Sequence, residues 1–412
     1  MRKNCWLAGL VVLVISESVL ADWPQLLGPN RNGKSSEQGL LRSWPAEGPP
    51  VLWTVDVGIG FSQPAIRDGR VFLMDRIGDE GDALRVFKLE NGQELWSYKY
   101  DAPGRTSHNG SRAAPAVDGR YVIIGGPFGQ IHCVDRETHQ PRWVKHFIED
   151  YDSPVPGWGF GQSPLMYKNA VILAPLSERV SVTALDKASG KTIWESEPLG
   201  HMAYASPMLA TIDGIEQIIV TSVPTIAGID ADSGDVLWRY EGFHCGTPIA
   251  NPVPIGDGRF FISGSYNSGS VMFRVSNRSG RFEVKELFRL PKHGTQIATP
   301  LLINNHLWCI GNTNNTAHGF MCINLEGQIL WQRGNSPSLD LGNMIAADGM
   351  IYLVGAKTGV IHLVNPNPEG YEELASMKLL NGDSNCTPPA LSDGKLVIRD
   401  QEQMKCLDIH AH

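Results

Sequence analysis

Pro64-Ala65-Ile66-Arg67-Asp68-Gly69-Arg70-Val71-Phe72-Leu73 is two short apolar strands joined by a two-residue turn. Asp-Gly between apolar strands favours a tight hairpin, because both turn residues must reach positive φ. The pattern returns at Pro115-Ala116-Val117-Asp118-Gly119-Arg120-Tyr121-Val122 and around Asp257-Gly258, Asp348-Gly349 and Asp393-Gly394. Asn169, Gly214 and Asn305 hold the same place in three further copies, and Asn and Gly tolerate that backbone. The turns fall at 69, 119, 169, 214, 258, 305, 349 and 394, spaced 44 to 50 residues apart. A chain of 412 residues would otherwise suggest two or three domains. Eight copies at this period predict instead one all-β propeller of eight four-stranded antiparallel blades.

A second signature follows the hairpins: a small residue, x, Asp, x, x, Thr or Ser, Gly, three residues, Trp. Ala184-Leu185-Asp186 through Ser189-Gly190 to Trp194 is one copy, and Gly228 through Asp230 and Ser233-Gly234 to Trp238 is another. Cys133 to Trp143 matches with His139 in the glycine place. Weaker copies end at Trp96 and Trp331, and Phe288 replaces the Trp in the fifth. The spacing predicts a third strand, a tight turn and a fourth strand, whose Trp packs between neighbouring blades.

The last repeat ends soon after its third strand, Met404 to Ile409, without a fourth strand or Trp. Pro50 to Val57, with Trp53, is an unassigned fourth strand ahead of the first hairpin. The N-terminal strand is therefore expected to close the ring, which removes open sheet edges. Six tryptophans, Trp53, Trp96, Trp143, Trp194, Trp238 and Trp331, are assigned structural roles between blades.

These repeats resemble the tryptophan-docking repeats of pyrroloquinoline-quinone-like propellers, over about residues 49 to 409. The resemblance implies either a quinoprotein dehydrogenase or a cofactor-free scaffold like that of outer-membrane barrel assembly. Trp23-Pro24-Gln25, Gly28-Pro29-Asn30 and Gly33 also resemble the leader of some exported members. Leu26 and Leu27 depart from the aromatic and basic residues expected there.

Arg2 and Lys3, the apolar run Leu7 to Ile15, and Val19-Leu20-Ala21 before Asp22 have the pattern of a cleaved signal peptide. The expected organisation is a signal peptide at 1–21, a leader at 22–48 and the propeller at 49–412. Deleting leader residues 22–33 is expected to matter less to stability than deleting the closing strand. The destination is periplasmic or extracellular. The formal charge is −8, and −9 without the first 21 residues, which argues against nucleic acid and anionic membrane surfaces. No second apolar stretch approaches spanning length. The six cysteines after the leader are too sparse for a disulfide scaffold, and most are expected to be buried as small apolar residues.

In this topology both kinds of short turn lie on one face. The longer, varied loops lie on the other, where function usually resides. Four blade-joining loops carry a histidine six to eight residues before the next blade: His108, His201, His244 and His293. Quasi-equivalent loops would bring them towards one funnel, although ordinary loop hydrogen bonding is the favoured explanation because no pair has metal-ligand spacing. Arg112, Trp158 and Tyr204 lie in comparable loops and supply an anion-binding and stacking lining, or brace the loops. All seven are ligand-binding candidates. No catalytic or metal-ligating residue is assigned.

The favoured function is a binding or scaffold module that meets a protein partner at the loop face, with no cofactor. One alternative is an alcohol or sugar dehydrogenase using pyrroloquinoline quinone with calcium, for which Asp340 and Asn343 are the candidate base and calcium oxygen. A vicinal cysteine pair, common in such enzymes, does not occur. The other alternative is polysaccharide binding, with Trp158 and Tyr204 as stacking platforms.

Overall fold

Turn chemistry sets the hairpins. In six of the eight, both central residues have positive φ, as at Asp68 (51°) and Gly69 (67°). The second hairpin turns differently: Asp118 Oδ1 accepts from the N–H of Arg120 and Tyr121, so the side chain closes the loop. The third has positive φ at Lys168 but not at Asn169. The computed structural model describes residues 22–201, 203–313, 316–382 and 384–411. The signal-peptide expectation falls on residues 1–21, outside the described residues.

Each hairpin opens a four-stranded antiparallel sheet. The first blade orders its strands Ala65–Arg67, Arg70–Ile77, Gly81–Lys88 and Glu94–Asp101 from the axis outward. The innermost strands of the other seven are Ala116–Val117, Leu165–Tyr167, Met208–Ile212, Val253–Gly256, Leu301–Ile303, Asn343–Ala347 and Ala390–Ser392. Eight such sheets form the propeller ring, and the largest apolar clusters span adjacent blades. Helix is almost absent; Phe147–Tyr151 makes one turn after the second blade. The eighth sheet contains strands from both ends of the chain. Val51–Asp56 pairs antiparallel with Gln403–Asp408, setting Trp53 opposite Cys406 and Val55 opposite Met404.

The register explains the second signature. In each of these blades the small residue lies directly across from the Trp: Ala184 from Trp194, Gly228 from Trp238, Cys133 from Trp143 and Cys322 from Trp331. A one-residue register shift follows each of these pairs, which lets the ring lean over its small partner. Three of the six cysteines, Cys133, Cys322 and Cys406, thus act as small apolar residues under an indole. Five of the six are buried, and all six are free thiols.

The indoles reach into the next blade. The N–H of Trp53 donates to Leu89 O (2.8 Å), that of Trp143 to Lys187 O (2.8 Å), that of Trp194 to Ala231 O (3.2 Å) and that of Trp331 to Asn367 O (3.2 Å). The receiving turn uses glycine because the ring lies on it: a Cβ added to Gly234, whose φ is +83°, would stand 2.7 Å from Trp194. The Asp of the signature caps this turn. Asp186 Oδ1 accepts from the Ser189 N–H and hydroxyl. Two tryptophans differ. Trp96 meets His139 face to face, with ring centroids 4.3 Å apart and planes 12° apart. Trp238 donates to Gln217 Oε1 within its own blade (2.7 Å), while its ring meets Phe260 and Phe273 of the next.

The leader runs into the ring rather than over its surface, with Trp23, Leu27 and Arg31 buried, so deleting residues 22–33 is expected to destabilise the ring. Trp23 pairs with Ile66 of the first blade through both backbone hydrogen bonds, and Pro24 O accepts from Val117 N–H of the second. Arg31 donates to Pro164 O (2.7 Å) and Ser163 O (3.1 Å) at the third. Lys34 Nζ donates to Leu302 O of the sixth, and Gly33 and Ser35 bracket Ala346 of the seventh. Glu37 then accepts from Asp393 and Gly394 N–H at the eighth hairpin. A segment that touches innermost strands on opposite sides of the ring fills its central channel. Arg31, 2% exposed, has no carboxylate partner among the described residues. Burial pushes its guanidinium down to about 9, so it remains charged at neutral pH.

A funnel on the ring axis

On the loop face the channel widens into a cavity of about 720 Å³. That is within the usual range for a small-molecule site. Leu26 and Leu27 of the leader reach it from below. Gln63 Oε1 fixes this floor by accepting from Leu27 N–H (2.7 Å). The two leucines that depart from the leader pattern are therefore the apolar floor of the funnel.

Four of the seven candidates named from sequence line the funnel together: His108, Arg112, Trp158 and Tyr204. Trp158 leans on Tyr204, with centroids 5.2 Å and planes 32° apart, and its backbone N–H donates to the Tyr204 hydroxyl (3.0 Å). Tyr266, which sequence reasoning missed, extends the aromatic wall at 6.4 Å from Trp158. His108 stands edge-on to Trp158 at 6.3 Å. The loop passes closely beneath: a Cβ on Gly161 would lie 3.3 Å from Tyr204 and 3.5 Å from Arg112.

Arg112 is held by neutral groups. Nη1 donates to Gly110 O (3.1 Å), Nη2 to His108 O (2.5 Å), and the guanidinium lies 5.3 Å from the Phe61 ring centroid. Burial lowers its pKa to about 10, so the cation persists at neutral pH. Five blade junctions further round, Asp340 is paired with Lys357 at 3.1 Å. Among the described lining residues, Arg112 is thus a cation without an anion.

Below the aromatic wall, neutral polar side chains stitch blade to blade. Ser163 Oγ accepts from Ala114 N–H, Ser206 Oγ from Ser163 N–H, Asn251 Oδ1 from Ser206 N–H, and Thr299 Oγ1 from Asn251 N–H. Ser62 and Gln63 continue the seam to Ala113 O and Pro389 O. The signal was present in the sequence: Gln63, Ser163, Ser206, Asn251 and Thr299 each immediately precede the proline that starts a blade.

The other three histidines do not line the funnel. His201 is exposed on a two-residue strand paired with Val223 and Pro224. His244 is exposed, and His293 stacks on His318 at 4.3 Å. Asp340 and Asn343 do line it. They do not fit a calcium-held quinone. Asp340 is the one carboxylate of the described lining, and Lys357 already neutralises it. Asn343 Nδ2 donates to Cys386 O and its Oδ1 accepts from Met344 N–H, so the side chain is held within its own strand and the neighbouring blade junction. Among the described residues no group of three His, Cys, Asp or Glu is placed to hold a metal ion.

The repeats, the docking tryptophans and the closed ring agree with a family model described as outer membrane protein assembly factor BamB, which matches residues 34–145, 84–279 and 182–367. The chain belongs to the pyrroloquinoline-quinone-like repeat family. Among solved members of this fold, BamB from Moraxella catarrhalis is 16% identical, covering 88% of this chain and 98% of its own, with a TM-score of 0.62. The quinohemoprotein alcohol dehydrogenase of Comamonas testosteroni is 11% identical, covering 95% and 81%, with a TM-score of 0.67. At these identities the likeness establishes the fold. Tetrathionate hydrolase of Acidithiobacillus ferrooxidans is 24% identical over 124 residues, 27% of this chain and only 23% of that protein's length. Within this family member, no described helix is long and apolar enough to cross a membrane.

Proposed function

We propose that the protein is an exported binding module, cleaved before Asp22, that receives its partner at the loop face through the axial funnel. The observation that supports this most strongly is the funnel's construction. Its floor is built from the chain's own leader, its walls come from loops around the ring, and its one carboxylate is neutralised. Such a lining gathers recognition groups, an aromatic wall and a cation without a paired anion, around one axis. The family description, an assembly factor of outer membrane proteins, agrees with a role in holding partners outside the cytoplasm.

A photoreactive residue at Trp158 tests the reading in cells that export the protein, with one at Ile193 on the exposed outer rim as control. Adducts are expected from position 158 and not from 193. Adducts confined to the rim would overturn the proposal. So would dye reduction by the purified protein with pyrroloquinoline quinone, calcium and a panel of alcohols and sugars.

A further inference from the structure

We propose that the funnel binds a saccharide bearing an anionic group, a uronate or a sulfate ester, with Arg112 taking the anion and Trp158 and Tyr204 taking the sugar face. This deepens the binding-module reading and rests on it. Three independent features point to this chemistry. The first is charge. A guanidinium in a partly buried wall, hydrogen-bonded only to carbonyl oxygens, leaves an uncompensated cation facing the cavity. An arriving carboxylate or sulfate would find a charge-assisted partner.

The second is the aromatic wall. Trp158 is tilted by 32° to Tyr204 and by 38° to Tyr266 rather than closed into a stack, and all three rings line the cavity. The apolar face of a pyranose suits such a surface, and the rings contribute area at little entropic cost. The third is the remaining lining. Asn335 offers an amide that suits sugar hydroxyls, and Asn312 and Thr316 beside it are neutral groups held in place by Gly319 N–H and Asn267 Oδ1.

An acidic peptide is the competing occupant, and the funnel suits it less well. A peptide that binds by strand addition needs an open strand edge. Here the innermost strands are paired on their outer side, and the leader occupies the channel at their other side. A cavity of about 720 Å³ is also small for a folded partner but sufficient for two or three sugar rings.

Calorimetry on the full chain from Asp22 tests this with four probes. These are tetragalacturonate, a κ-carrageenan tetrasaccharide, neutral cellotetraose and tetraglutamate. One or both acidic sugars should bind at least tenfold more tightly than cellotetraose and tetraglutamate, and should change tryptophan fluorescence. The carboxylate and sulfate arms separate the two anion sources. Arg112→Gln should weaken acidic-sugar binding about 10- to 100-fold, as expected for loss of a charged hydrogen bond. Arg112→Lys should restore part of it, which a purely structural role would not. Trp158→Ala should abolish the fluorescence change. Tetraglutamate binding as tightly as the acidic sugars, or an Arg112→Gln affinity equal to wild type, overturns the proposal. So does silence of both acidic sugars, even where crosslinks at position 158 uphold the binding-module reading.

Discussion

Replacing Trp194 with alanine removes a ring that is 8% exposed, lies opposite Ala184 and donates to Ala231 O in the next blade. Loss of a buried indole, with the cavity it leaves, costs about 3–5 kcal/mol. The receiving turn supplies a stricter test. Gly234→Ala imposes a side chain at φ +83°, worth about 1–2 kcal/mol, and sets its Cβ 2.7 Å from the Trp194 ring, worth about 1–3 kcal/mol more. In a Trp194→Ala background the clash disappears and only the backbone cost remains. The double variant should therefore be more stable than additivity requires by about 1–3 kcal/mol. Urea unfolding of the four proteins, with matched m-values, measures this. A single-variant cost below about 1 kcal/mol, in the range of surface changes, would refute docking between blades. An additive double variant would refute the contact with Gly234.

Deleting residues 49–57 should expose the Gln403–Asp408 edge and raise light scattering, whereas deleting 22–33 should lower the melting temperature without that aggregation; identical behaviour would contradict the assignment of closing strand and channel filler. Asn251→Ala leaves the buried Ser206 N–H without its acceptor and should cost about 1–3 kcal/mol, a change under about 0.5 kcal/mol being incompatible with the seam. His132 accepts from or donates to Tyr98 and stacks on Tyr100, and burial, then His146, push its pKa down to about 4. The unfolded chain therefore takes up this proton first, and up to about 3 kcal/mol of stability is lost as pH falls from about 6.5 to 4. His132→Gln should flatten that part of the pH profile, and an unchanged slope would show that other groups set it. Mass spectrometry of the exported protein should find Asp22 as the first residue; an intact Met1 would end the export proposal.

The fold was legible because its grammar is local. Asp68-Gly69 and its equivalents encode a turn, and Asp186 to Trp194 encodes a cap, a glycine seat and a docking ring within nine residues. Trp53 ahead of the first hairpin and the missing fourth strand after Ile409 together implied their pairing. The funnel was half legible. Arg112, Trp158 and Tyr204 stood out by type, but radius from the axis is a tertiary quantity, so His201, His244 and His293 looked equivalent to His108 and are not. Tyr266 lies in a loop between the second and third strands, with no repeat partner to reveal it. The leader was the largest omission. Its resemblance to a leader said nothing of where it lies, and only contacts with the first three and last three blades show that it fills the channel.

That placement imposes an order on events in the chain's life. The first described residues lie inside a ring whose last sheet needs residues up to Asp408, so the N-terminal segment cannot be enclosed until the C-terminus is available. A nascent chain is therefore kept from its final state until Gln403–Asp408 has been made, and long-range closure of this kind is slow. Once closed, the ring makes each end a clasp for the other: Leu40 bridges to His410, and Leu41 N–H donates to Ile409 O. Removing residues 403–411 would thus loosen residues 22–41. Protease access at Arg31, absent in the whole protein and present after that truncation, would display the dependence.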